Sequence, residues 1–189
     1  LTHQENLALR FSLTPINGTG NAAANVIEGN GGVNILHGGL GDDEINGFGG
    51  ADSLFGDEGD DVLHYSSSAT LTDGGADGTL GDTLLLGGTA PNITLDLSML
   101  ADTLIIGVEN IRFAVSSAHT LKLNAGDVLA LSDPSQLLKV FGEADDAVNL
   151  TGGGWTKDVG TVGDFQGYSN GLAQVQIDLD ILAANVTLS

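Results

Sequence analysis

"GGLGDDEINGFGGADSLFGDEGDDVLH" occupies residues 38–64. It sets glycine clusters and carboxylates at fixed intervals, returns to a lone Leu or Ile between them, and holds no Lys or Arg. Read outward, the interval is nine residues: "GNAAANVIE" (20–28), "GNGGVNILH" (29–37), "GGLGDDEIN" (38–46), "GFGGADSLF" (47–55) and "GDEGDDVLH" (56–64). Position 1 is Gly in every unit. Position 6 is Asn25, Asn34, Asp43, Asp52 and Asp61, and position 8 is Ile27, Leu36, Ile45, Leu54 and Leu63. A short repeat of this kind points to a solenoid, in which each unit buries its apolar side chain only against its neighbours.

Each column has a physical reason. Glycines at positions 1, 2 and 4 permit backbone angles that a Cβ forbids, so the chain can turn sharply with its carbonyls inward. The x-U-x segment after them has room for one strand and one buried side chain. Nine residues then make half a coil and eighteen a full one. Position 8 lines a narrow aliphatic core between two parallel sheets, and position 6 stacks on the position-6 residue eighteen places later. Two carboxylates held ~5 Å apart repel by roughly 3 kcal/mol at an effective dielectric of 20. A hard divalent cation reverses the sign. Ca²⁺ fits best, because it takes six to eight oxygen ligands in flexible geometry, whereas Mg²⁺ demands a tight octahedron. Transition metals would call for imidazole or thiolate. An acidic linker kept only for solubility has no reason to hold an aliphatic residue at every ninth position.

The pattern G-G-x-G-x-D-x-U-x resembles the calcium-binding repeat of the RTX (repeats-in-toxin) family, and "GGLGDDEIN" departs from it nowhere. The resemblance implies an all-β fold, a parallel β-roll, with each metal between the turns of units n and n+2. It is held there by the two position-6 side chains and by backbone carbonyls of both turns. Carried onto this chain, Asp43 with Asp61 forms the strongest site, supported by carbonyls near Gly38, Leu40, Asp57 and Gly59. Asn34 with Asp52, and Asn25 with Asp43, each offer one amide in place of a carboxylate and imply weaker sites. On the edge beyond Asp52 the eighteen-residue register offers only Thr70. The chain is read there as inserting "YSSSATLT" and resuming in a stretched turn, "DGGADGTLGDTLLL" (73–86), with Asp82 imitating position 6 and Asp77 its rival.

This reading divides the chain into three segments: an incoming rung or linker over 1–19, the roll over 20–86, and a β-rich C-terminal capping region over 87–189. "ENLALRF" (5–11) and "ENIRFAV" (109–115) share Glu-Asn-aliphatic-x-apolar and suggest equivalent rungs on either side of the repeats. Past Thr83, "NITLDLS", "TLIIG", "TLKLN", "LLKVFG", "AVNL" and "AQVQIDLDI" alternate like short strands. "NAGDVLALSD" (124–133) has a capping residue and a terminating Pro134, as a helical turn requires. The strand order is left open. Such a cap would cover the unpaired backbone at a solenoid's open end.

Composition narrows the partners. The formal charge is −20, and the stretch between Arg10 and Arg112 carries fifteen acids and no basic residue. Nucleic acid and anionic membrane both need a cationic surface, so neither is expected. No Cys is present, which removes disulfides and thiolate metal sites. The chain starts "LTHQENLAL" and is read as a piece of a longer polypeptide.

Catalytic constellations are weak. His64, Asp61 and Ser66–Ser68 lie close in sequence, but no G-x-S-x-G elbow or H-E-x-x-H motif occurs. Acid pairs such as Asp145-Asp146 and Asp178/Asp180 are expected to be solvated, and Trp155 serves as well for packing as for stacking on a sugar. His37 and Phe55 are expected to stack on an outer face of the roll. The resulting expectation is a non-catalytic, monomeric calcium-binding module of a secreted or cell-surface bacterial protein. The resemblance implies type I secretion and then folding on external calcium, and the flanking rungs suggest a large adhesin. The alternatives are an adhesin tip that grips a glycan or protein ligand, and the accessory domain of a secreted enzyme.

Overall fold

The computed structural model describes residues 6–8, 13–87, 92–115, 118–132, 137–181 and 183–189. The chain divides into two compact units, one up to Leu84 together with Thr103–Val108, the other Leu85–Asp102 with Glu109–Ser189.

In the first unit the nonapeptide period becomes alternation between two sheets. Strands β1 (Asn6–Ala8), β2 (Gly18–Thr19), β3 (Val26–Asn30), β4 (Ile35–Leu40), β5 (Glu44–Phe48), β6 (Ser53–Gly59), β7 (Val62–His64) and β8 (Leu71–Asp77) succeed one another. They go alternately to a sheet ordered β1-β3-β5-β7 and to one ordered β2-β4-β6-β8. All these pairs are parallel. Strand β9 (Thr83–Leu86) opens in this unit, β10 (Thr94–Asp96) belongs to the other, and β11 (Ile105–Ile106) lies parallel to β8. Ile27 stands opposite Ile45 and Ile45 opposite Leu63, while Leu36 stands opposite Leu54, each step being eighteen residues. These five side chains form one buried cluster with at most 1% exposure. Each contributes on the order of 1.5–3 kcal/mol of burial, one side chain per strand, so the core is thin for the backbone it must order.

The strands run longer than the x-U-x segment expected from sequence. Strand β4 continues through Gly38, Gly39 and Leu40, and β6 through Gly56 to Gly59. The turns lie within positions 3–6. From the third unit on, position 2 takes a positive φ, easy for Gly39 (φ 114°) and costly for Phe48 (63°) and Asp57 (75°).

The end of the roll corrects the sequence reading. "YSSSATLT" is no insertion: Val62 to Leu71 is again a nine-residue step, and Leu54 lies opposite Thr72 in the usual register. Buried Thr72 takes the place of the core aliphatic, its N–H donating to the Leu104 carbonyl at 2.8 Å. The extra residues come afterwards, between Asp77 and Asp82.

The second unit is also built on parallel strands, which the sequence left unassigned. Strands β12 (Asn110–Phe113), β13 (Thr120–Leu123), β14 (Leu137–Phe141), β15 (Ala147–Leu150), β16 (Thr156–Val162), β17 (Phe165–Asn170), β18 (Ala173–Asp178) and β19 (Val186–Leu188) accompany helix α1 (Ala125–Leu131). One sheet is β10-β13-β15-β19, all parallel. In the other, β12, β14 and β18 are parallel, and the antiparallel hairpin β16–β17 extends it. Leu121 aligns with Leu95 and Val148, and Val140 with Ile111 and Ile177, through coils of unequal length. Helix α1 occupies one such coil, its first turn closed by a reciprocal capping box between Asn124 and Asp127. Trp155 is buried, and its Nε1 donates to the Thr151 carbonyl at 3.0 Å.

Candidate metal centre

Because position 6 directly precedes each core strand, coiling stacks these residues in two columns. One column runs Asn25, Asp43, Asp61, Asp82; the other runs Asn34, Asp52 and ends at Thr70. Within a column the backbone N–H of one residue donates to the side-chain Oδ1 of the next. Asn25 donates to Asp43 at 2.6 Å, Asp43 to Asp61 at 2.7 Å, Asp61 to Asp82 at 2.7 Å, and Asn34 to Asp52 at 2.8 Å. Backbone bonds such as Val62 N–H to the Asp43 carbonyl and Thr83 N–H to the Asp61 carbonyl, both 2.8 Å, fix the same register.

The second carboxylate oxygen has a different fate. Oδ2 of Asp43, Asp52 and Asp61 is buried and has no hydrogen-bond partner. It faces the position-1 glycine. A Cβ on Gly38 would stand 2.4 Å from both Asp43 Oδ2 and the Gly56 carbonyl; one on Gly56 would stand 2.3 Å from Asp61 Oδ2 and 2.1 Å from the Gly74 carbonyl; one on Gly47 would stand 2.4 Å from Asp52 Oδ2. Position 1 must therefore be glycine, and the Oδ2 of Asp43 and of Asp61 shares its neighbourhood with a carbonyl of the next coil. A buried, unpartnered carboxylate oxygen is costly.

That cost shows in protonation. Burial pushes Asp43 up to about 6 against the opposing Asn25 N–H, with Asp42 and Asp57 adding to the rise. Burial likewise pushes Asp61 up to about 6 against the Asp43 N–H, with Asp43, Asp42 and Asp57 repelling. Asp82 rises to about 7 through burial, against the Asp61 N–H and with Asp61, Asp77 and Asp60 repelling. Asp52 is raised by burial against the Asn34 N–H. A buried column of anions without countercharge takes up protons; a cation would let it ionise.

Residues 19–45 and 28–63 match the family described as RTX calcium-binding nonapeptide repeat (4 copies). The first unit carries RTX calcium-binding repeats. No curated protein and no solved structure matches the chain.

The RTX columns suit calcium on their own chemistry: around Asp43 and Asp61 the converging atoms are carboxylate and carbonyl oxygens, while the Asn25 end of that column buries an unpartnered amide Nδ2 instead. Asp43, Asp52, Asp61 and Asp82 would hold the ions. Bound calcium supplies the positive charge against which these acids ionise.

The other residues singled out from sequence have varied surroundings. Asn34 is closed by hydrogen bonds: its Oδ1 accepts from Asn30 N–H at 2.9 Å, and its Nδ2 donates to the Ile16 carbonyl at 2.8 Å. Gly38 abuts Asp43 Oδ2. Leu40 donates its N–H to the Asn21 carbonyl at 3.1 Å and leaves its side chain exposed. The Asp57 carbonyl lies against Gly75, and its carboxylate meets His37 Nδ1 at 3.1 Å. The Gly59 carbonyl accepts the Gly78 N–H at 2.9 Å. Asp77, exposed at the end of β8, has a carboxylate oxygen within 4.8 Å of one on Asp82.

Asp82 does occupy position 6, but beyond Asp61 rather than beyond Asp52. Thr70 takes the latter place, with its N–H at 2.7 Å and its Oγ1 at 3.0 Å from the Asp52 carbonyl. His37 stacks on Phe55 with centroids 4.5 Å apart, as in-register outer-face residues should.

Two features escaped the sequence reading. Asp60 accepts N–H bonds from Thr79, Leu80 and Gly81; burial alone would raise its pKa, yet these bonds hold it below the usual carboxylate value. In the second unit, His119 and Asp146 repeat the column motif. His119 N–H donates to Asp146 Oδ1 at 2.8 Å, and Ala147 N–H to the His119 carbonyl at 2.8 Å. There, however, Asp146 Oδ2 accepts the Glu143 N–H at 2.8 Å. The signal was present: Asp146-Ala147-Val148-Asn149 has the D-x-U-x order of Asp61-Val62-Leu63-His64.

Proposed function

We propose that this chain is a non-catalytic module whose RTX roll folds when calcium fills its position-6 columns, within a protein exported to a calcium-rich exterior. The observation that carries the reading is the buried, unpartnered Oδ2 on Asp43, Asp52 and Asp61. Without an ion the first unit has a thin core and a stack of mutually repelling acids; with one, folding and binding become a single event. RTX repeats occur typically in secreted bacterial proteins, which supports an extracellular setting. Strands at Asn6–Ala8 and Asn110–Phe113, within the paired "EN" segments, support a serially repeated adhesin as the parent.

A non-catalytic role agrees with where the nucleophile candidates sit. His64 Nε2 lies 2.9 Å from Glu44 Oε1, and Ser66 Oγ lies 2.9 Å from Ser68 Oγ. Calcium added to metal-free protein is expected to give a cooperative gain of β-signal in circular dichroism, reversed by chelator. A spectrum indifferent to calcium from micromolar to ten-millimolar concentrations would overturn the proposal.

A further inference from the structure

We propose that Asp60 is a positioning residue that shapes the long turn after β8 into a calcium-competent coil, creating an ion position between Asp61 and Asp82. This rests on the reading of the roll as calcium-binding. The matched nonapeptide repeats end at residue 63, and the next coil breaks their spacing. Val62 to Leu71 is a nine-residue step, but Leu71 to Thr83 is twelve, so Asp82 comes twenty-one residues after Asp61 rather than eighteen. A turn lengthened by three residues has no reason of its own to return a carboxylate to the column. Something must gather the surplus backbone.

Asp60 does so. Its Oδ1 accepts the N–H of Leu80 at 2.8 Å and of Gly81 at 2.7 Å, and its Oδ2 accepts the Thr79 N–H at 3.0 Å and the Thr79 Oγ1 at 3.4 Å. Three consecutive amides wrapped on one carboxylate form a tight loop. Gly78 lies so close that a Cβ there would stand 2.8 Å from the Asp60 carboxylate. Folded in this way, the loop delivers Asp82 to the column with the usual bond from Asp61 N–H. Asp61 Oδ2, buried and unpartnered, lies by the Gly74 carbonyl, while Asp77 brings a further carboxylate beside Asp82. The lone pairs of Asp60 are committed to three amides and the Thr79 hydroxyl, so it acts on the ion through Asp82 and not as a ligand. Asp42, one coil earlier at the same repeat position, accepts only the Asp60 N–H at 3.0 Å and serves as the charge-matched control.

Calorimetric calcium titration of the full chain tests this with Asp60→Ala, Asp60→Asn and Asp42→Ala. Asp60→Ala is expected to remove one ion from the stoichiometry, or to weaken one class of sites at least tenfold. Asp60→Asn keeps an oxygen for Leu80 and Gly81 and is expected to retain most of that affinity. Asp42→Ala removes the same charge and the acceptor of the Asp60 N–H but leaves the three amides on the Asp60 carboxylate, and is expected to cost severalfold less affinity than Asp60→Ala. Equal losses in Asp42→Ala and Asp60→Ala would reduce the effect to net charge and overturn the proposal. So would Asp60→Asn as weak as Asp60→Ala, or Asp60→Ala indistinguishable from the unaltered chain. An unaltered chain that takes up no calcium would instead sink the calcium reading itself.

Discussion

Asp61 and Asp146 make the same first bond and differ in the second. Each sits just before a parallel core strand, and each accepts with Oδ1 the N–H of the residue one coil earlier, Asp43 or His119. Asp146 then closes its other oxygen on Glu143 N–H, three residues upstream, whereas the Oδ2 of Asp61 is buried with no protein donor. The difference arises from turn composition. Gly56, at position 1 of the Asp61 coil, leaves Asp61 Oδ2 beside the Gly74 carbonyl, whereas the Glu143-Ala144-Asp145-Asp146 turn aims an amide at Asp146. One arrangement leaves an oxygen for a cation to complete, and the other is completed by the chain itself. A parallel coil thus has two routes to satisfying its edge, and this protein uses both.

The largest effect that could break the comparison is selective melting. On chelation, far-UV circular dichroism should lose the strand signal of the first unit. The emission of Trp155, the chain's one tryptophan and a reporter of the second unit, should stay at its buried, blue-shifted position. A red shift of Trp155 in step with the dichroism would show that the second unit needs calcium too.

A smaller effect separates the two carboxylates directly. Asp61→Ala removes an oxygen pair shared by two coils; loss of one partner from a buried charged pair costs about 3–5 kcal/mol. That corresponds to roughly a hundred- to several-thousandfold weaker calcium binding. Asp146→Ala removes two hydrogen bonds to backbone amides and should lower stability by about 2–4 kcal/mol, by the same amount with and without calcium. Thermal unfolding of both variants in calcium and in chelator gives the four numbers needed. A calcium-dependent penalty for Asp146→Ala would erase the distinction.

The smallest effect is on pH. In the metal-free protein Asp43 and Asp61 titrate near 6 and Asp82 near 7, all above the ordinary 3.8. The folded roll therefore binds more protons than the unfolded chain between these values. The associated stabilisation is complete below about pH 3.8 and is lost as pH rises through 6 to 7. In chelator, far-UV circular dichroism should therefore regain strand signal from the roll at pH 4.5 that is missing at pH 8. Saturating calcium should invert the trend, because protons then compete with the ion. A metal-free roll with equal strand signal at both pH values would argue against buried, unpartnered carboxylates.

Much of the first unit could be read from its residues. The aliphatics at position 8 become the buried cluster, and the position-6 residues become the columns, because a strict period leaves one register that buries every Ile and Leu. Legibility ends where the repeat stops repeating. Thr72 continues the register with a polar side chain in an aliphatic place, so the coil it belongs to was mistaken for an insertion. Asp82 was matched to the wrong column because spacing alone cannot show which bonds will fold a longer turn. In the second unit, individual strands and the helix at 125–131 were legible from alternation and from Asn124 as cap. Coils of unequal length carry no period from which their pairing could be read.

The sequence by itself determined the coil length, the thin aliphatic core, the glycine at position 1 and the stacking of acids, since each is a local residue choice repeated until one arrangement satisfies all copies. Only the tertiary structure decided which oxygens go without a hydrogen-bond donor, which column receives Asp82, and that Asp146 closes both oxygens on backbone amides. Those outcomes depend on single backbone amides, from Glu143 in one unit and Thr79 to Gly81 in the other. The direction in which an amide points is fixed only once the chain around it has folded.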